Sequence, residues 1–121
     1  MKKDKEKDAK KKRARVEAPP ADADALLARA LEAVGGKWKL RVLLALSGGK
    51  PLRYGQLRAR VAGITDMMLS QSLRELCAAG LVERTQYAEI PPRVDYALTG
   101  AAAGAVEAAA QLCRWGGFLS H

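Results

Sequence analysis

Apolar residues recur at helical spacing in five segments of the chain and alternate with polar residues toward its C-terminal third. Leu26, Leu27, Ala30, Leu31 and Val34 mark a first helix, which Asp22 or Asp24 can cap and Gly35-Gly36 ends. A second helix spans about Lys37 to Ser47. Leu40, Val42, Leu43, Leu44 and Leu46 leave it little polar face, which predicts a central, buried helix. Gly48-Gly49 stops it, Pro51-Leu52-Arg53 suits a short extended piece, and a third helix covers about Tyr54 to Val61 with Leu57 and Val61 inward. The fourth helix is the best delimited. Thr65 is a suitable N-cap, Gly80 a suitable residue just past the C-terminus, and Leu69, Leu73 and Leu76 form one apolar stripe.

The period then changes from helix to strand. Leu81–Tyr87 and Arg93–Leu98 predict two strands; in the second, Val94, Tyr96 and Leu98 alternate with Arg93, Asp95 and Ala97. Ala88-Glu89-Ile90-Pro91-Pro92 joins them, with the prolines stiffening the tip. Thr99 is placed to cap a last, alanine-rich helix from about Gly100 to Trp115. The expected architecture is mainly α with a small β-hairpin, a winged helix-turn-helix within residues 21–121.

That order of elements changes how the fourth helix reads. A helix enters the major groove only if its outward side chains are short or polar enough to approach base edges, and Ser70, Gln71 and Arg74 meet that condition. Gln pairs with adenine and Arg with guanine. Arg53, Thr65 and Met67 complete the candidate DNA-facing set on the helical side, and Arg93 is the candidate wing contact to phosphate or minor groove. The competing readings are an ordinary polar surface helix and a solvated loop arginine.

Charge supports a nucleic-acid partner mainly through its distribution. The 121-residue chain carries a net +8, but residues 1–15 hold nine Lys/Arg against three Asp/Glu, so the remainder is only mildly basic. Residues 1–20, closed by Pro19-Pro20, read as a disordered basic tail that attracts phosphates without regard to sequence.

Other chemistries lack their residues. Two cysteines and one terminal histidine do not make a structural zinc site or a disulfide framework, so a reducing cytoplasmic compartment is expected, with no metal or cofactor. Cys77 and Cys113 read as buried inert thiols, and Trp38 and Trp115 as core or interface residues. Gly35-Gly36-Lys37 and Gly48-Gly49-Lys50 lack the glycine spacing of a phosphate loop, and no base stands ready to activate Ser47, Ser70 or Ser72. No apolar run approaches the ~18 residues that would suggest a membrane span.

Five segments together resemble the HxlR-type winged helix-turn-helix regulators of bacteria: Ala30–Trp38 (ALEAVGGKW), Leu52–Leu57 (LRYGQL), Gly63–Leu76 (GITDMMLSQSLREL), Gly80–Val82 (GLV) and Pro91–Thr99 (PPRVDYALT). The similarity runs from about residue 25 to 117. It implies a homodimeric transcriptional regulator on a pseudo-palindromic operator, with double-stranded DNA as partner and an unidentified small molecule as a further candidate effector. It also implies a dimer built from the first and last helices, here through Leu27, Leu31, Ala105, Val106, Ala109 and Leu112. Two positions depart from the family pattern. Ala21-Asp22-Ala23-Asp24 stands where members often carry a sensing cysteine, and Met67 stands where many have lysine. The alternative to a regulator is a winged-helix module that docks on protein, with only the tail attracting nucleic acid.

Overall fold

The computed structural model describes residues 17–119, so most of the basic tail and the terminal histidine lie outside the described residues. Helix α1 (Ala23–Val34) is followed by α2 (Lys39–Ala45), strand β1 (Leu52–Arg53), α3 (Tyr54–Arg60), α4 (Asp66–Ala78), β2 (Val82–Tyr87), β3 (Arg93–Leu98), a 3-10 turn (Gly100–Ala102) and α5 (Ala103–Gly116). No helix among the described residues is long and apolar enough to cross a membrane.

The core forms where α2, α3, α4 and the sheet meet. Val42, Leu43, Leu57, Leu69 and Leu76 are fully buried, joined by Leu46, Leu52, Val61, Ile64 and Leu73. Most are apolar positions of their own elements, so their burial follows from the periodicity of the sequence, whereas Leu46 and Val61 stand at the C-caps of α2 and α3 and Ile64 in the turn before α4. The 3-10 turn that precedes α5 closes the core through Ala102.

Several expectations are corrected. The second helix is shorter than 37–47, and Leu44 is exposed, so one side of the central helix remains uncovered. The extended piece at Leu52–Arg53 is a strand: it pairs with β3 through Leu52↔Tyr96 and Arg53↔Asp95. The hairpin is thus part of a three-stranded antiparallel sheet in the order β1-β3-β2. As the middle strand, β3 has both edges paired, and all six of its residues are partly buried. Of the residues expected to face inward, Tyr96 and Leu98 do pack against the core, although partial burial of all six softens the contrast between the two faces.

Capping differs as well. Asp22 precedes α1 without a side-chain cap. Thr99 does not cap the last helix; its hydroxyl donates 2.6 Å to the Gly80 carbonyl, tying the end of the wing to the end of α4. Neither cysteine is fully buried: Cys77 is partly exposed at the edge of α4, and Cys113 is exposed because it lies on the uncovered side of α5.

Candidate nucleic-acid interface

Helix α4 is held firmly at both ends. Thr65 Oγ1 accepts from the Met68 amide at 3.2 Å, which satisfies one free donor of the first turn. At the other end Gly80 has φ +76, and the amides of Gly80 and Leu81 donate to the Cys77 and Leu76 carbonyls. This is a Schellman stop, and it requires the left-handed residue that glycine supplies without strain.

Helix α3 fastens the start of α4. The Tyr54 hydroxyl lies 3.0 Å from the Asp66 carbonyl, 3.1 Å from Asp66 Oδ1 and 3.2 Å from Ser70 Oγ. Arg58 Nη1 reaches the Asp66 carboxylate at 3.1 Å. Asp66 favours the positive end of the helix, and Arg58 offsets the charge it would otherwise turn toward a polyanion. Sequence reasoning missed Tyr54, Arg58 and Asp66 because the contacts run between elements. Tyr54 and Asp66 are twelve residues apart.

With Leu69, Leu73 and Leu76 buried, α4 turns Met67, Ser70, Gln71 and Arg74 to solvent, and Met67 is 76% exposed. These four sequence-predicted residues are all exposed, and three of them divide between two flanks of the helix. Gln71 and Glu75 border the Lys37–Lys39 segment. There Glu75 is paired with Lys39 at 3.3 Å, and Gln71 Nε2 lies 3.5 Å from Glu75 Oε1. Ser70 and Arg74 instead border a cleft of about 580 Å³ between α4 and the sheet, with Tyr54, Cys77, Arg84 and Tyr96. Burial pushes the Cys77 thiol up from its ordinary value, while the Arg84 guanidinium pulls it the other way.

Arg53 is exposed at the junction of β1 and α3, where its amide donates 2.9 Å to Gln56 Oε1. Arg93 stands at the start of β3, in the wing. Its guanidinium lies 4.1 Å from the Tyr87 ring centroid and 3.7 Å from both Glu89 and Asp95. Its Nε is buried without a hydrogen bond. The wing arginine is therefore folded back on its own hairpin, and its charge is answered within the wing.

Of the residues implied for a dimer, Leu27 and Leu31 are exposed on α1 at 57% and 55%, and Leu112 is half exposed on α5. Ala105 and Val106 pack partly against the core, and Ala109 is buried within its own chain. Leu26, Trp115 and Phe118 are exposed apolar residues of the same two terminal segments that sequence reasoning did not assign to the dimer.

Residues 33–120 match the family described as HxlR-like helix-turn-helix. Over 87 residues the chain is 44% identical to an uncharacterised HTH-type transcriptional regulator of Methanothermobacter thermautotrophicus, covering 72% of this chain and 66% of that one. It is also 44% identical over 90 residues to the HTH-type transcriptional regulator YkvN of Bacillus subtilis, covering 74% and 75%. Among solved structures, the oxidised redox regulator HypR superposes with TM-score 0.74 at 32% identity, covering 79% of this chain and 98% of that one. The HTH-type regulator YtcD does so with TM-score 0.70 at 37% identity, covering 76% and 93%. The match spans α2 to α5 and the whole sheet, and the chain belongs to the HxlR-like helix-turn-helix family.

Proposed function

We infer that this protein is a DNA-binding transcriptional regulator that acts as a homodimer on a pseudo-palindromic operator in the cytoplasm. The regulator class follows from the family and its relatives, which are transcriptional regulators and not enzymes. The observation that carries the DNA contact is α4 itself. It is capped at both ends, clamped by Tyr54 and Arg58, and turns Ser70, Gln71 and Arg74 outward beside a sheet that extends as a wing. In this reading α4 enters the major groove, Gln71 and Arg74 read base edges, and Ser70, Thr65 and Arg53 meet the backbone. Met67 supplies apolar contact where a lysine would supply charge. The basic residues 1–15 add attraction that does not depend on sequence.

The dimer reading rests on apolar exposure. Leu26, Leu27 and Leu31 on α1 and Leu112 and Trp115 on α5 leave large side chains open to water, which a second copy would cover. Ala105, Val106 and Ala109 support this face from behind, since the chain's own core occupies them.

The test of base reading is competition binding with the gene's own upstream duplex and a random duplex. Gln71→Ala should lower the preference for the specific duplex by about tenfold, as loss of a base contact worth ~1–3 kcal/mol requires. An equal loss on both duplexes would remove Gln71 from the base-reading role.

A further inference from the structure

The cleft between α4 and the sheet contains an arginine, Arg84, that lies outside the five segments carrying the family resemblance. Val82 and Arg84 stand two residues apart on β2, so they project from the same face of the sheet. Val82 is buried in the core. Arg84 occupies the next position outward, where the hairpin leaves the body of the protein, and it is exposed. Its register partner Tyr96 borders the same cleft. The opposite wall is one stripe of α4, Ser70, Leu73, Arg74 and Cys77, at the i, i+3, i+4, i+7 spacing of a single helix side.

The arginines around this region are not equivalent. Arg58 is paired with Asp66, and Arg93 with Glu89 and Asp95. Arg74 and Arg84 make no ion pair among the described residues, although both border the same cleft. Two guanidiniums that share a cleft without a carboxylate repel one another and attract an oxyanion. The Tyr54 and Ser70 hydroxyls form a polar wall beside them.

We propose that this cleft seats a phosphodiester of the duplex backbone, held between Arg74 on the helix and Arg84 on the first wing strand, and that Arg84 is the wing's principal phosphate contact. The assignment rests on the DNA-binding reading and extends it. A helix lying in the major groove has a phosphate strand along each flank, and the flank facing the wing is where Arg84 stands. Arg74 then acts on two sides, toward a base edge and toward the backbone.

The experiment is fluorescence anisotropy of the full-length protein on the upstream and random duplexes between about 50 and 200 mM salt. Arg84→Gln should weaken both duplexes alike by about tenfold or more and flatten the log–log salt slope by about 1.8, one phosphate contact of about 0.9 from each protomer of the bound dimer. Arg84→Lys should keep most of the slope. Arg60→Gln, with the same loss of charge on another side of the fold, should not change it. Thermal melting of Arg84→Gln should match the wild type, because the side chain is exposed. If the wild type binds duplex and Arg84→Gln retains its affinity and slope, the proposal is overturned while the DNA-binding reading stands. If the wild type binds no duplex, both fall. A cleft that takes a free anion but no backbone phosphate would leave Arg84→Gln with the duplex affinity and salt slope of the wild type, which is the overturning result.

Discussion

Gly80 shows how much one residue controls. Its φ of +76 lies in the left-handed region, and no atom stands within 4 Å of the position a Cβ would take. The cost of Gly80→Ala is therefore conformational, about 1–2 kcal/mol, with no clash added. We expect a lower melting midpoint in thermal denaturation and weaker DNA binding, since the stop positions both the end of α4 and the start of β2. An unchanged midpoint would show that the turn tolerates a side chain. Thr99, Tyr54 and Arg58 act at the same scale: each ties α4 or its stop to another part of the fold with one to three polar contacts. The N-cap Thr65 and the stop at Gly80 were legible in the sequence because capping is local. The Thr99 bond to Gly80 was not, because it joins residues nineteen apart that only the fold brings together.

At the scale of elements, the wing differs most from a reading of its own residues. Arg93 follows two prolines and reads as a free cation, yet Tyr87, Glu89 and Asp95 enclose it. Its cross-strand neighbour in the register is Tyr87, so pairing of β2 with β3 places the ring beneath the guanidinium. A cation over an aromatic face contributes about 0.5–1 kcal/mol at an exposed site. Arg93→Ala should therefore loosen the hairpin and weaken DNA binding severalfold, with a salt slope close to wild type, because the charge is already answered within the wing. A slope reduced by about two units, one contact from each protomer of the dimer, would show instead that Arg93 reaches a phosphate. Arg84 was open to a closer reading of period two. An arginine that follows a core valine on the same strand face sits at the rim of the core, and such a residue faces whatever the hairpin faces.

The whole molecule separates two kinds of alanine and leucine on the terminal helices. Ala109 lies in the chain's own core and Leu31 does not, so two substitutions should fail differently. Leu31→Glu should leave the melting of the protomer fold intact, shift sedimentation toward a monomer and reduce affinity for a two-half-site operator. Ala109→Arg should unfold the protomer itself, because a long charged side chain would be forced between α2 and α5. If Leu31→Glu remains a dimer in sedimentation, the exposed leucines of α1 do not form the interface.

The sequence by itself determined the order of elements, the start and stop of α4, the apolar stripe Leu69, Leu73 and Leu76, and the polar side that stands opposite it. These follow from periodicity and capping, which depend on residues a few positions apart. The described structure alone decided which arginines are already paired, that Leu52–Arg53 completes a three-stranded sheet, and that Ala109 packs inward while Leu31 stays open. Those outcomes depend on which distant residues meet, and neither helical nor strand spacing encodes the partner on another element.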